Sequence, residues 1–362
     1  MFRRYLIVSF LFLFFSTRGY GETLEIIRKQ FEVYQRSPGE IEVLFTDDAK
    51  EIDNVLKRTE TKRLAVRNEL DKATKERKPN RHLPSPLFSE EYAAPFNHYV
   101  TVEHAFAKRS LEQDKPEDAI PSVRYVYLLA EELSESGSLE LRTGAALIRL
   151  KMLETVQSIL LHPLCKHEYH ELLYKTLDDQ INNRTTDRAI WERYREEGKQ
   201  FFSDVVKCGF IKMIAPDVLK ELEDRLAFRE YETKPAEWMA QDQANFHKAL
   251  EKIIESCAVP FYKRQSVLRQ LNNELREHRG TAAEPVFTLL LLRDVSSSMR
   301  IFAQERSGIE MAYLALSASL EKQNRQKPVN YLTGKEYELR LIPDGVMCTY
   351  EGNVKSFYVP YR

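Results

Sequence analysis

The stretch LELRTGAALIRLKMLETVQSILL, Leu139 to Leu161, decides the fold class. Ala145, Ile148, Met152, Thr155 and Ile159 recur at three and four residues and share one helical face, while Leu147, Leu150, Leu153 and Leu160 line another. Apolar residues on two faces predict a helix covered from two sides, which places it at the centre of a helical array rather than on its surface. Ser136-Gly137-Ser138 leads into it and Pro163 closes it.

Helical periodicity continues on both sides. Leu24, Ile27, Phe31 and Tyr34 predict a helix from Glu22 to Arg36, ended by Ser37-Pro38-Gly39. Ile41 to Phe45 reads as a short strand or extended link, and Asp47-Asp48 as the start of a charged helix toward Lys78. The four prolines of residues 79–97 predict a loop laid over the body. Helices are then expected over Tyr99 to Gln113, Ala119 to Glu135, Leu164 to Ile181, a segment capped by Thr185-Thr186-Asp187, Ala215 to Phe228, Pro235 to Cys257, Tyr262 to His278, and within Pro285 to Gln323. No fixed period links them, which disfavours a repeat solenoid.

The period changes near the end of the chain. Tyr337, Leu339 and Leu341 alternate, Pro343-Asp344-Gly345 turns, Val346, Cys348 and Tyr350 alternate, and Gly352-Asn353 precedes Val354 to Val359. This predicts a three-stranded meander packed on the helix carrying Ile309, Tyr313, Leu316 and Leu320. The expected class is therefore mainly α, an irregular multi-helix array with a small C-terminal antiparallel β-meander. Its expected regions are 1–21, an export signal; 22–97, an N-terminal helical region and Pro-rich loop; 98–325, the helical body; and 326–362, the meander.

Residues 1–21 carry a basic start at Arg3 and Arg4, an apolar run from Tyr5 to Phe15 broken only by Ser9, and small residues at Gly19 and Gly21. That order predicts a cleaved signal and an exported protein, periplasmic or extracellular, with an uncleaved membrane tether as the alternative. The apolar run is shorter than the roughly 20 residues a bilayer span needs. Cleavage would remove three arginines and no acid, moving the formal charge from −1 to −4. Such a balance argues against nucleic acid as partner. Export makes Cys165, Cys208, Cys257 and Cys348 disulfide candidates, and their wide spacing excludes CxxC motifs.

Few residue patterns point to chemistry. His162, Cys165, His167, Glu168, His170 and Glu171 are ligand types that zinc prefers, and His167, His170 and Glu171 share a helical face at i, i+3 and i+4. They form a candidate metal site, with Glu168 or Asp178 as the candidate base of a metal-assisted hydrolase. The two histidines stand three apart, unlike the four of HExxH. Asp294, Ser296 and Ser298, after the run Thr288 to Leu292, resemble the metal-ion-dependent adhesion site of von Willebrand factor A domains. The resemblance implies divalent-cation binding by those three residues. Only 64 residues follow Ser298, and they read as a helix and a meander, so Phe287 to Phe302 is taken as core helix with some serines. Asn183-Arg184-Thr185 fits a glycosylation sequon.

The order of signal, helical body, Ala/Leu-rich helix at Met311 to Leu320, Leu332-Thr333-Gly334-Lys335-Glu336-Tyr337 and meander resembles a loose class of uncharacterised exported bacterial proteins. The ends of those proteins are faintly similar to the C-terminal sheet of type II secretion pseudopilins. Asn330-Tyr331 stands where that class has Asp-Pro. The expected function is a non-catalytic binding or scaffold protein with an envelope protein or polymer as partner; the alternative is the zinc hydrolase around His162 to Glu171.

Overall fold

The structure, a computed structural model, describes residues 22–35, 39–46, 48–76, 90–135, 139–208, 231, 235–277, 279, 281, 284–292, 295–321, 329–350 and 356–362. The expected signal, the start of the Pro-rich segment and the helix expected from Ala215 to Phe228 lie outside the described residues. The helices run α1 Glu22–Phe31, α2 Gly39–Glu42, α3 Ala49–Glu76, α4 Glu90–Glu112, α5 Pro116–Glu135, α6 Leu139–Leu161, α7 His167–Asn182, α8 Asp187–Cys208, α9 Pro235–Ser256, α10 Phe261–Glu277, α11 Val286–Leu291 and α12 Val295–Ser319. Strands β1 Glu338–Ile342, β2 Gly345–Thr349 and β3 Phe357–Pro360 follow. Among the described residues no helix is long and apolar enough to cross a membrane.

Helix α6 is central. It packs against α4, α5, α7, α12 and β3, which buries Ala145, Ile148, Met152, Thr155 and Ile159 on one face and Leu153 and Leu160 on the other. Ile148, Met152, Leu153, Ile159 and Leu160 each contribute about 1.5–3 kcal/mol on leaving water. Leu147 departs from expectation: it falls in the strip between neighbours and is 50% exposed. The buried Arg142 orders the entry to α6, donating from Nε to Ser134 O at 2.7 Å and from Nη1 to Ile190 O at 2.8 Å. It thereby satisfies a carbonyl that the end of α5 leaves unpaired.

The interior forms two apolar clusters. The first gathers α1 to α7, the second half of α12 and the sheet; the second gathers α8 to α11, the first half of α12 and the start of α6. Helix α12 runs through both, with Met299, Phe302 and Ala303 in one and Ile309, Ala312 and Leu316 in the other. In the first cluster Glu103, fully buried, accepts a two-pronged bond from Arg67 at 2.8 and 2.6 Å and another from Ser122 Oγ at 2.7 Å. The carboxylate is tolerated there because its acceptors are filled.

The meander forms as the alternation predicts. β1 pairs antiparallel with β2, Leu339 opposite Cys348, and β2 with β3, Cys348 opposite Phe357. Val346, Cys348, Phe357 and Val359 are buried, and β2 and β3 lie on α12, where Ile309 and Leu316 are buried.

Two expectations change. Ile41 to Phe45 is not extended: α2 ends at Glu42 and a 3-10 turn spans Val43–Phe45. Ile41 and Leu44, three apart, are both buried by that winding, and Thr46 closes it by donating from N and Oγ1 to Val43 O at 3.0 and 2.8 Å. Helix α4 begins at Glu90, not Tyr99, and contains Pro95. The lost backbone donor is offset by burying Phe96 and Tyr99 on the core side of the helix. Cys165, Cys257 and Cys348 are free thiols; the side chain of Cys208 lies outside the described residues.

Candidate functional site

Helix α12 crosses from one apolar cluster to the other between Ala303 and Ile309, and charged residues occupy the crossing. Glu305 is buried beneath it, while Arg306 and Glu310 line a cleft of about 400 Å³. The other walls come from the end of α7 with Gln180 and Ile181, the turn through Arg184 and Thr186, the start of α8 with Asp187 and Arg188, the α9–α10 connection through Val259 and Pro260, Arg264 of α10, and Tyr331. Each wall has a local cause. Thr186 caps α8 by accepting from Ala189 N at 3.2 Å, which sets Asp187 in the first helical turn.

Arg264 is the fixed centre of the cleft. It is 1% exposed, donating from Nη1 to Asp187 Oδ2 at 2.6 Å, from Nε to Val259 O at 2.7 Å, and from Nη2 to Cys257 O at 3.4 Å and to the Tyr331 hydroxyl. Tyr331 donates to the same Asp187 oxygen at 2.6 Å. Burial pushes the Asp187 carboxyl up, and Arg184, Arg264 and Tyr331 overcome that push, so its pKa falls below the ordinary value. Burial and the neighbouring Asp187 raise the Tyr331 phenol, which stays protonated and acts as a donor. Burial pushes the Cys257 thiol up to about 11, so it enters the cleft wall as a neutral group.

Asn330 delivers Tyr331. Buried, it accepts at Oδ1 from Leu332 N at 3.0 Å and Thr333 N at 2.9 Å, and its backbone carbonyl accepts from Gly334 N at 2.8 Å. Gly334 takes φ +76°, a conformation that glycine adopts without strain, with the Tyr262 ring close against it. Tyr337 then ties the loop to α12, donating to Glu310 Oε2 at 2.8 Å and to Ser307 O at 3.2 Å. The Leu332 to Tyr337 motif is thus a mount. The residue that reaches the cleft is Tyr331, in the pair where the sequence departs from the class it resembles.

The residues singled out in the sequence fall elsewhere. His167, Glu168, Glu171 and Asp178 line an open groove of about 680 Å³ along α7 with Leu172, Tyr174 and Lys175. His167 Nε2 stands 4.0 Å from Glu171 Oε1, both side chains exposed. His170 does not join them: it is 1% exposed, and burial, with Arg362 and His167 beside it, lowers its pKa to about 4. The helix start explains this, because α7 begins at His167 and places His170 among the residues that turn to the core. Among the described residues no three His, Cys, Asp or Glu side chains stand together as a metal would require. His162 instead meets Leu111 O at 3.1 Å, and Cys165 is buried in the first cluster. Ser296 accepts from Asn272 at 3.3 Å and Ser298 from Thr143 at 3.1 Å, so the two serines serve different helices; Asp294 lies outside the described residues. Asn183 is exposed in the α7–α8 turn next to Arg184.

Sequence reasoning passed over Arg264 and Arg306 and took Asp187 only as a cap. The available signal was Glu305-Arg306 followed by Glu310, three charges within six residues of a helix whose one other charge is Arg300. Comparison with protein-family models, curated proteins and solved structures gives no match.

Proposed function

We propose that this chain is an exported, non-catalytic binding protein and that the cleft at the α12 crossing receives a polar group of an envelope protein or polymer. The observation that supports this reading is convergence: segments distant in sequence bring Arg184, Asp187, Arg264, Arg306, Glu310 and Tyr331 to one concave surface. Concave sites with a few converging polar groups are where proteins most often take ligands. Asp187 and Arg264 are spent on each other and Cys257 stays protonated, so these groups serve to hold a ligand's place rather than to attack it.

The test is co-sedimentation of the purified mature chain with an insoluble envelope fraction of the source cells. Wild-type protein is expected to pellet with the fraction, and Val259→Trp, which places an indole at the half-open mouth, to stay in solution. Equal behaviour of the two proteins would overturn the reading.

A further inference from the structure

The guanidinium groups of the cleft are not equally committed. Arg264 spends Nε, Nη1 and Nη2 on Val259, Asp187, Cys257 and Tyr331. Arg184 uses only Nη2, toward Phe302 O at 2.9 Å and Glu305 at 2.8 Å; its Nε and Nη1 make no hydrogen bond among the described residues. Arg306 uses Nε, toward Glu310 at 2.7 Å, and neither Nη is bonded there. Its guanidinium lies 4.1 Å from the centre of the Tyr331 ring. Stacking engages the face of a guanidinium and leaves the in-plane N–H edge free, so Tyr331 holds Arg306 in place without consuming its donors.

Elsewhere, unmatched guanidinium nitrogens such as Arg63 Nη1 and Arg142 Nη2 are sealed in the packed interior. Those of Arg184 and Arg306 belong to side chains that line a cavity. The cationic lining and the helix ends there suit an anion. Each of the four lining arginines pairs with one carboxylate, Arg184 with Glu305, Arg188 with Glu192, Arg264 with Asp187 and Arg306 with Glu310, but Glu305 and Glu192 lie outside the lining, and helices α8 and α10 both begin at its wall with their positive ends. Asp187 is neutralised by Arg264, and Glu310 accepts from both Arg306 and Tyr337.

We propose that the cleft binds the phosphate or sulfate group of an ester, gripped by the free Nη1–Nη2 edge of Arg306 and a free N–H of Arg184; the proposal rests on the reading of this cleft as a binding site. Arg306 presents its Nη1–Nη2 edge, and Arg184, from a different segment, presents a further N–H. A carboxylate has two oxygens and suits one such edge, whereas a tetrahedral ester group offers three and suits an edge with a further donor. Ile181, Ile309, Val259 and Pro260 leave an apolar wall for the organic part of the ester.

The test is calorimetric titration of the mature protein with inorganic phosphate and with sulfate at constant ionic strength, chloride being the reference. Binding of either above chloride is expected. Arg306→Gln, at a partly exposed position, is expected to weaken it at least tenfold, and Arg306→Lys to fall between because charge without the fork is retained. Unchanged binding in Arg306→Gln, or no preference over chloride in the wild type, overturns the proposal. Should the wild type still pellet with the envelope fraction and Val259→Trp not, while neither anion binds, the ester proposal fails and the cleft reading stands. Loss of both signals removes both.

Discussion

Asp187→Ala removes the carboxylate on which the cleft is centred. In the folded protein Asp187 Oδ2 takes 2.6 Å bonds from Arg264 Nη1 and from the Tyr331 hydroxyl, and the two charged side chains are 11% and 2% exposed. Truncation therefore leaves the Arg264 cation buried without its counter-charge, a situation that costs about 3–5 kcal/mol. Loss of an acid from the first turn of α8 adds about 0.3–1 kcal/mol. Tyr331→Phe keeps the ion pair and removes a hydroxyl bonded to a charged group, worth about 1.5–3 kcal/mol. The expected order of stability is wild type, Tyr331→Phe, Asp187→Ala. Since a domain is stable by only about 5–15 kcal/mol, the larger loss shows plainly in urea unfolding followed by far-UV circular dichroism. The pH dependence has a definite sign. The folded pKa of Asp187 lies below its ordinary value, so its stabilisation is complete above about pH 4 and is lost as pH falls through the lower folded value. The wild-type advantage over Asp187→Ala is expected to be flat near neutrality and to shrink in acid, as pH falls through the lowered folded value. A cost below about 1 kcal/mol, or an advantage that persists unchanged in acid, would refute the reasoning.

Other regions give independent checks. Gly198→Ala places a methyl 2.0 Å from Phe246 Cε1, a buried ring in the second cluster. Overpacking of about 1–3 kcal/mol outweighs the helix-propensity gain of about 1 kcal/mol, so a lower thermal midpoint is expected, and a rise would contradict the α8–α9 packing. Burial pushes the Glu197 carboxyl up to about 8, so the folded state holds its proton longer than the unfolded state and loses stability as pH rises toward that value. Glu197→Gln is expected to flatten that decline, and an identical profile in the variant argues against a buried acid. Because His170 is buried while the side chains of His167 and Glu171 are exposed, zinc analysis of the purified protein is expected to find no stoichiometric metal. One equivalent of zinc, abolished by His167→Ala, would restore the hydrolase reading.

The fold was legible where periodicity is long. Helix α6 declares itself through apolar residues on two faces, and the meander through the switch to alternation from Tyr337 onward, with a turn at Pro343-Asp344 that the observed register confirms. Short segments were misread because Ile41 to Phe45 contains too few residues for one period to exclude the other. Pro95 suggested a loop, yet tertiary burial of Phe96 and Tyr99 carries the helix through it. The cleft was illegible for a different reason. Arg184, Arg264, Arg306 and Tyr331 span much of the chain, and only the crossing of α12 between two cores brings them together. The histidines, adjacent in sequence, drew notice that geometry does not reward, because helix phase sends His170 inward and His167 outward.

Hydrogen–deuterium exchange of the purified protein, with and without the envelope fraction, tests the cleft most directly. Protection is expected in residues 184–188, 257–264, 306–310 and around 331. Protection confined to the groove of α7, or to the exposed strand β1, would contradict the central claim.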